Sequence, residues 1–180
     1  MLRIIAGKHR NRLLEQPSKS NTRATTERVR EAVFSSIQFD LVDKSFLDLF
    51  AGSGAWGLEA ISRDASYVEF VDNNKEAFNV ISANAKSLKE NNLKIWQMSA
   101  LEYLKRTKQT FDFIFIDAPF EEYDLVNQVL SSINELKTLN NNGTIIVETN
   151  KLDQIILPAE YEMIKHKRYG KIDILYIKER

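Results

Sequence analysis

From residue 46 onward, short apolar runs alternate with longer amphipathic stretches along the chain. The short runs are rich in β-branched and aromatic residues and predict strands, whereas the longer stretches carry apolar residues at helical spacing. The predicted strands span 46–50, 67–72, 94–98, 111–117 and 143–149, and the predicted helices span 55–63, 74–90, 100–107 and 124–138. This alternation is typical of βαβ units and predicts an α/β fold with a mostly parallel, doubly covered sheet.

The two ends of the chain follow different patterns. LRIIAGKHRNRLLEQP, near the N-terminus, predicts a short hairpin in which Asn11 takes a left-handed turn conformation. The sequence EMIKHKRYGKIDILYIK predicts a closing antiparallel hairpin with a turn at 169–171. The tetrapeptide NNNG at 140–143 is typical of a helix stop and turn.

A further helix is predicted by TTERVREAVFSSI. Val29, Val33 and Ile37 have helical spacing, and Thr25 or Thr26 is the predicted N-cap.

Composition indicates an ordinary globular chain and excludes several classes of chemistry. The 180 residues fit one domain, with 43% hydrophobic and 28% charged residues. No cysteine is present, which excludes a disulfide framework, a thiol nucleophile and a thiolate metal site, and two histidines argue against a histidine metal centre. No apolar run reaches the ~20 residues of a membrane helix. We therefore expect a cytoplasmic protein that uses neither a metal nor a membrane. We also expect a monomer.

A net charge of zero hides an uneven distribution of charge. Residues 1–30 contain eight Lys or Arg and two Glu, a balance of +6, so the remainder carries −6. Such a basic arm favours a polyanion that docks at one end of the molecule. The alternative is a solvated charged surface, and charge alone leaves both open.

The first predicted strand leads into DLFAGSGAWG, a glycine-rich turn. Its glycines fit G-x-G-x-x-G, which lets a backbone approach a ligand at a helix N-terminus. Asp72 ends the second strand, where an acidic side chain can accept both ribose hydroxyls. Asp48 lies within the first strand, where it repels a pyrophosphate and attracts an ammonium group. The pattern favours S-adenosylmethionine over NAD; the alternative makes Asp48 a buried acceptor of backbone N–H groups.

The stretch IDAPF follows the fourth strand and places a carboxylate at the carboxyl edge of the sheet. Asp117 and the Ala118 carbonyl can accept the two N–H bonds of an exocyclic amine on a nucleobase. Pro119 stiffens the turn, and the Phe120 ring can stack on the base. The alternative is that Asp117 is a helix N-cap and Phe120 belongs to the core.

Together these segments resemble the RsmD-type methyltransferases, which use S-adenosylmethionine to methylate the N2 amino group of a guanine in small-subunit (16S) ribosomal RNA. The resemblance runs nearly end to end and rests on LRIIAGKHRNRLL, TRATTERVREAVF, DLFAGSGAWGLEAISR, IDAPF, IIVE and KRYGKIDILYI. It implies a class I, Rossmann-like methyltransferase sheet with a closing antiparallel hairpin and a small N-terminal hairpin and helix. On this basis residues 1–24 form a basic arm and loop, and residues 25–180 form the methyltransferase domain.

The resemblance also implies roles for individual residues. The catalytic set is Asp117, Ala118, Pro119 and Phe120. The cofactor set is Asp48, Phe50, Ala51, Gly52, Ser53, Gly54, Asp72, Asn73, Ser99, Ala100 and Asp117. The RNA-binding set is Arg3, Lys8, Arg10, Arg12, Arg23, Arg28 and Arg30. The implied partner is 16S ribosomal RNA or an assembly intermediate of the small subunit.

Four positions depart from the family pattern. Asn11 and Ala24 replace a glycine and a proline, and Ala118 replaces the first proline of D-P-P-F. Ser99 stands where relatives often have Asp or Asn, at the predicted adenine contact. Three other functions share part of the pattern: adenine-N6 methylation of DNA or RNA, NAD-dependent oxidoreduction and RNA binding without catalysis.

Overall fold

The computed structural model describes residues 2–18 and 24–180, and the side chains of 24–26 are not described. Nine strands are found there: β1 (Leu2–Arg3), β2 (Leu13–Leu14), β3 (Ser45–Asp48), β4 (Tyr67–Asp72), β5 (Leu93–Gln97), β6 (Phe111–Ile116), β7 (Leu139–Thr149), β8 (Tyr161–Tyr169) and β9 (Ile172–Glu179). The helices of the same residues are α1 (Ala24–Ile37), α2 (Ala55–Ser62), α3 (Lys75–Ser87), α4 (Ala100–Arg106) and α5 (Tyr123–Leu136), with a 3-10 turn at Leu152–Gln154.

Seven strands form one sheet in the order β5-β4-β3-β6-β7-β9-β8. The first five run parallel, β9 is antiparallel to β7, and β8 is antiparallel to β9. The parallel strands therefore end at one edge of the sheet, called the carboxyl edge below. The chain order reverses between β3 and β6, and a crevice outside the strand ends at such a point is the usual ligand site of an open α/β sheet. The predicted fold is confirmed.

Both faces of the sheet are covered, as the continuous apolar strands require. Phe46 and Phe115 belong to a core with α1, α2 and α3, whereas Leu47 and Ile116 belong to a second core with α4 and α5. Adjacent residues of one strand point to opposite faces, so a wholly apolar strand fills both cores.

The N-terminal hairpin packs on the first of these cores. Leu2, Ile4 and Leu14 are buried in it. The buried Glu59 carboxylate of α2 accepts backbone N–H bonds from Ile5 (2.9 Å) and Ala6 (3.1 Å). Asn11 has φ 66°, the left-handed conformation expected for the turn.

Two local predictions were wrong. Helix α1 already begins at Ala24, so Thr25 and Thr26 lie within its first turn and neither is the N-cap. Residues 140–143 are a bulged part of β7: the register with β6 passes from Phe111↔Leu139 to Phe113↔Thr144. The asparagines are accommodated because Asn142 takes φ 64° and the Asn140 amide donates to Asp112 (3.0 Å).

Among the described residues, no helix has both the length and the apolar character that crossing a membrane requires.

Candidate active site

Four acidic side chains meet at the carboxyl edge because four neighbouring strands end there. Asp48 ends β3 and Asp72 ends β4, while Asp117 directly follows β6. Glu148 lies next to the end of β7, one residue after Val147, the register partner of Ile116. The charges of Asp117 and Asp72 both act on Asp48, so these carboxyl groups share one site.

The glycine-rich loop covers the acidic groups. Gly52 and Gly54 have φ 56° and 81°, and Gly54 precedes α2. Around Gly52, open space surrounds the position of an added Cβ, so the backbone there is accessible to a ligand. At Gly57 an added Cβ would lie 2.3 Å from the Phe70 ring, which explains the third glycine of the motif: α2 packs closely on β4.

Asp48 lies beneath this loop with no exposed surface. Its Oδ2 accepts the Gly57 backbone N–H at 3.3 Å, the structural contact of the alternative interpretation, while Oδ1 has no hydrogen-bond partner among the described residues. Burial, reinforced by the charge of Asp117, raises its pKa well above the ordinary value. The protein therefore supplies only part of the hydrogen bonding that the buried Asp48 carboxyl group would need in its ionised form.

Asp72 holds two turns together. Its Oδ2 accepts the Gly52 N–H (2.9 Å) and its Oδ1 accepts the Asn74 N–H (2.9 Å). A carboxylate offers about four acceptor positions, so lone pairs remain for a ligand. Asn73 is exposed between these turns.

The remaining residues of the predicted cofactor set flank the same loops. Ser99 is exposed and caps α4, because its Oγ accepts the Glu102 N–H at 3.2 Å. Ala100 is buried as the first residue of that helix. Phe50 and Ser53 are half-buried, and Ala51 is buried, its N–H donating to the Val71 carbonyl at 3.1 Å.

Asp117 and Glu148 are both carboxyl groups with raised pKa values. Burial raises the pKa of Asp117 to about 7, and a hydrogen bond from the Trp56 side chain acts in the opposite direction. Burial and the charge of Asp117 raise the pKa of Glu148 to about 9. Near neutral pH, Glu148 therefore holds a proton while Asp117 exchanges one. Strongly perturbed carboxyl groups in a cleft are typical of functional sites.

Glu148 was not among the residues predicted from the sequence. Its side chain is only 8% exposed, and its Oε2 has no hydrogen-bond partner among the described residues. The sequence did carry a signal, because IIVE places a carboxylate at the end of a buried strand, as FIFID does for Asp117.

The turn after β6 presents its aromatic ring to solvent. Phe120 is 52% exposed and Pro119 is also exposed, whereas Ala118 is 7% exposed. Helix α5 begins at Tyr123 with Glu122 as its N-cap residue. The interpretation of Asp117 as a helix cap and Phe120 as core is therefore wrong.

The predicted RNA-binding residues are not gathered at this edge. Helix α2 runs from the carboxyl edge to Ser62 at the opposite edge, where Ser62 accepts the Lys8 N–H (2.9 Å) and the His9 N–H (2.9 Å). The Lys8 ammonium pairs with Glu90 at 2.9 Å. The tip of the N-terminal hairpin, Lys8 to Arg12, thus lies far from Asp117.

The other predicted RNA-binding residues differ in exposure. Arg10, Arg12 and Arg28 are exposed, and Arg3 is exposed but pairs with Glu27 at 2.8 Å; Arg23 lies outside the described residues. Arg30 is 1% exposed and donates from Nη2 to the Arg3 carbonyl at 2.5 Å. The prediction that Arg30 contacts RNA is wrong, because its guanidinium is enclosed in the core.

Among the described residues, no group of three or more His, Asp or Glu side chains is arranged to hold a metal ion. An organic cation bound beside these carboxyl groups would favour their ionised forms, so the acidic site suits such a cation.

The switch-point crevice, the glycine-rich loop and the acidic strand ends define a class I methyltransferase. A solved structure from Escherichia coli, provisionally assigned as a methyltransferase, superposes with a TM-score of 0.90 at 29% identity, covering 99% of this chain and 97% of that one. The chain belongs to the family described as Conserved hypothetical protein 95, whose family model matches residues 2–178.

Two curated relatives carry the same name, ribosomal RNA small subunit methyltransferase D. The protein from Haemophilus influenzae is 35% identical over 173 residues, which cover 94% of this chain and 89% of the relative. The protein from Buchnera aphidicola is 33% identical over 176 residues, which cover 97% and 92%. These similarities confirm the resemblance to the RsmD-type methyltransferases.

Proposed function

We propose that this protein transfers a methyl group from S-adenosylmethionine to the exocyclic N2 amino group of a guanine in small-subunit ribosomal RNA. The observation that carries the proposal is the pair formed by Asp117, with a pKa raised to about 7, and the exposed ring of Phe120 at one end of β6. A hydrogen-bond acceptor beside a stacking surface is what a flipped nucleobase with an amino group requires.

The acidic floor fits the cofactor. S-adenosylmethionine brings a sulfonium-bound methyl group that is electrophilic without a metal. The α-ammonium of its amino-acid end suits the region above Asp48, whose Oδ1 is buried and has no hydrogen-bond partner among the described residues. Because Asp48 has no exposed surface, it acts through its charge and through the loop that it holds at Gly57. Bound positive charge lowers the pKa of Asp48 and thereby restores its ionised form.

The loops around the floor provide the rest of the cofactor site. Gly52 and Gly54 allow close backbone approach, and the spare acceptor positions of Asp72 suit the ribose hydroxyls. Ser99 is engaged as a helix cap, so we assign the adenine contact to the backbone at Ser99 and Ala100.

Asp117 orients the amine and receives its proton. The guanine N2 lone pair is delocalised into the ring, and acceptors on both N–H bonds favour a pyramidal nitrogen. Asp117 takes one N–H bond and the Ala118 carbonyl the other. Methyl transfer would form the N–C bond as the S–C bond of the sulfonium breaks and leaves a neutral thioether. The nitrogen would then lose one proton, and a carboxyl with a pKa near ambient pH is well matched to accept it.

The acceptor character of the site favours guanine as the base. The edge of guanine presents N1–H and N2–H donors side by side, which an ionised Asp117 complements. Stacking on Phe120 is worth ~1–3 kcal/mol and offsets part of the cost of unstacking the base from its neighbours.

The proposal is tested by incubating the purified protein with labelled S-adenosylmethionine and small subunits from a strain that lacks the modification. Digestion to nucleosides is expected to yield labelled N2-methylguanosine, and Asp117→Asn is the inactive control. Labelled N6-methyladenosine would show that the methylated base is adenine and not guanine. An absence of label in both RNA and particles would refute the proposed function.

A further inference from the structure

The closing hairpin places positive charge beside the acidic site. The segment from Met163 to Lys171 contains four Lys or Arg and no Asp or Glu. All four of these side chains are exposed. Lys167, Arg168 and Lys171, which flank the turn at Gly170, are called the hairpin cations below.

Strand register locates the hairpin cations. Val147 pairs with Ile116 and with Leu175, and Leu175 pairs with His166. One residue nearer the carboxyl edge, Glu148 pairs with Ile174, and Ile174 pairs with Lys167. Lys167 therefore lies on the row of Glu148, which neighbours Asp117.

The separation is short on the scale of a nucleic acid. From the strand of Asp117 to the strand of Lys167 there are three strand spacings, about 14 Å at about 4.8 Å each. Each strand of a double helix carries one phosphate per about 3.4 Å of helix axis, so for a strand stacked in this way the distance corresponds to about four nucleotides. A strand whose base enters the cleft thus passes the hairpin.

The geometry of the turn directs the cations outward. Lys167 shares a sheet face with Ile174, whereas Arg168 shares the opposite face with Asp173, at 3.9 Å from Nη1 to Oδ2. Arg168 Nε donates to the Gly170 carbonyl at 3.1 Å, which orders the guanidinium at the tip. The side chain of Arg168 is still 64% exposed. Positive charge therefore faces both sides of the hairpin.

An acidic cleft that receives a nucleobase needs such cations. Asp72 and the ionised form of Asp117 repel the phosphates that flank a target nucleotide, and the cations at the tip of the N-terminal hairpin lie at the opposite edge of the sheet. Screening at physiological salt limits charge effects to about 8 Å, so only cations that contact the phosphates of the strand itself, at this edge of the sheet, can hold the strand against this repulsion.

We propose that the hairpin cations bind phosphates of the RNA strand a few nucleotides from the target guanine and so hold the strand over the cleft. The proposal rests on the proposed function for the identity of the RNA. Edge strands also carry lysines, which prevent another sheet from pairing with the edge. Arg168 and Lys171, however, flank the turn, where less of the strand edge is available for such pairing.

The test compares K167Q/R168Q/K171Q with K105Q/R106Q/K108Q, which removes three exposed cations at the end of α4, on the opposite edge of the sheet. Two readouts are measured: filter binding to unmodified small subunits at several salt concentrations, and steady-state methylation of the same particles. Calorimetry with S-adenosylmethionine checks that the cofactor site is intact.

For the hairpin variant we expect at least about tenfold weaker binding, and a log–log salt slope reduced by about 2–3, since each phosphate contact contributes about 0.7–0.9. KM should rise while kcat and cofactor affinity stay unchanged. The α4 variant should resemble the wild type.

Equal RNA affinity for the two variants would overturn the inference, and self-association of the hairpin variant with unchanged RNA affinity would assign the cations to edge protection. Binding is measured without turnover, so an absence of methylation by the wild type would refute the proposed function without deciding the role of the hairpin.

Discussion

Glu148 is the neighbour of Asp117 across the β6–β7 pairing, and the two carboxyl groups have no intervening cation among the described residues. Ionising Asp117 makes ionisation of Glu148 harder, so one proton stays with the pair at neutral pH. This arrangement keeps Asp117 as an acceptor while its partner remains neutral. Because β6 and β7 end side by side, two similar carboxyl groups have different roles: Asp117 is the acceptor and Glu148 stays protonated.

Replacing Asp117 by Asn should abolish turnover and spare cofactor binding. The amide keeps the shape but cannot take a proton from the amine, and kcat is expected to fall at least about 100-fold. In the wild type, kcat/KM should rise with pH up to about 7 and then level, because Asp117 must be ionised. Methylation assays from pH 5.5 to 8.5 measure both effects.

The control for this variant is Asp112→Asn on the same strand. Asp112 lies at the opposite end of β6 and accepts hydrogen bonds from Ser45 and Asn140. The Asp112→Asn variant should have a lower midpoint of thermal unfolding and an unchanged kcat. Near-normal kcat in Asp117→Asn would contradict the role of Asp117.

The stability of the protein should depend on Glu148 at alkaline pH. Its pKa is about 9 in the folded state, above the ordinary value of 4.5, so the folded protein binds the proton more tightly than the unfolded chain. The stability contributed by this proton is fully present below about pH 4.5 and is lost as pH rises towards about 9. Glu148→Gln mimics the protonated form and removes this loss.

Urea unfolding at pH 5, 7 and 9 measures the difference. Glu148→Gln should resemble the wild type at pH 5 and become progressively more stable than it at higher pH. A constant difference at all three values would show that Glu148 has no raised pKa. Lys178→Gln serves as the pH-independent control; Lys178 is half-buried on β9 and donates to the Asn142 carbonyl at 2.8 Å.

Most features that depend on neighbouring residues in the sequence were predicted correctly, whereas several features that depend on contacts between distant segments were not. The strands and the acidic strand ends were predictable because burial and periodicity are local properties of segments such as FDFIFI. Glu148 was missed because its proximity to Asp117 depends on strand register. Arg30 was misassigned because a basic residue in a charged segment gives no local sign that its side chain is enclosed.

The same limit applies to the two hairpins. The N-terminal hairpin and the closing hairpin were both predictable as elements. Their positions at opposite edges of the sheet follow from the contacts of Ser62 with Lys8 and from the pairing of Ile172 with Tyr169, which sequence periodicity does not encode.

Removing the Phe120 ring should weaken substrate binding more than it affects the fold. The ring is 52% exposed, so Phe120→Ala loses little buried surface. Loss of one base stack, at ~1–3 kcal/mol, predicts a KM for RNA that is roughly 5- to 150-fold higher. Phe39→Ala is the matched control, because Phe39 is 89% exposed in the loop before β3, at the opposite edge. Equal KM values for the two variants would exclude Phe120 from the base site.

Substitutions of Arg30 and Arg28, both in α1, should distinguish an effect on stability from an effect on RNA binding. Arg30→Ala leaves the Arg3 carbonyl without its donor and opens a cavity in the core, which should cost about 2–4 kcal/mol in the free energy of unfolding. Arg28 is exposed two residues earlier, so Arg28→Ala should leave the free energy of unfolding within about 0.5 kcal/mol. Chemical denaturation and RNA binding below the unfolding transition measure the two properties. The folded Arg30→Ala protein should bind small subunits as the wild type does, and a selective loss of RNA affinity in it would restore Arg30 to the RNA-binding set.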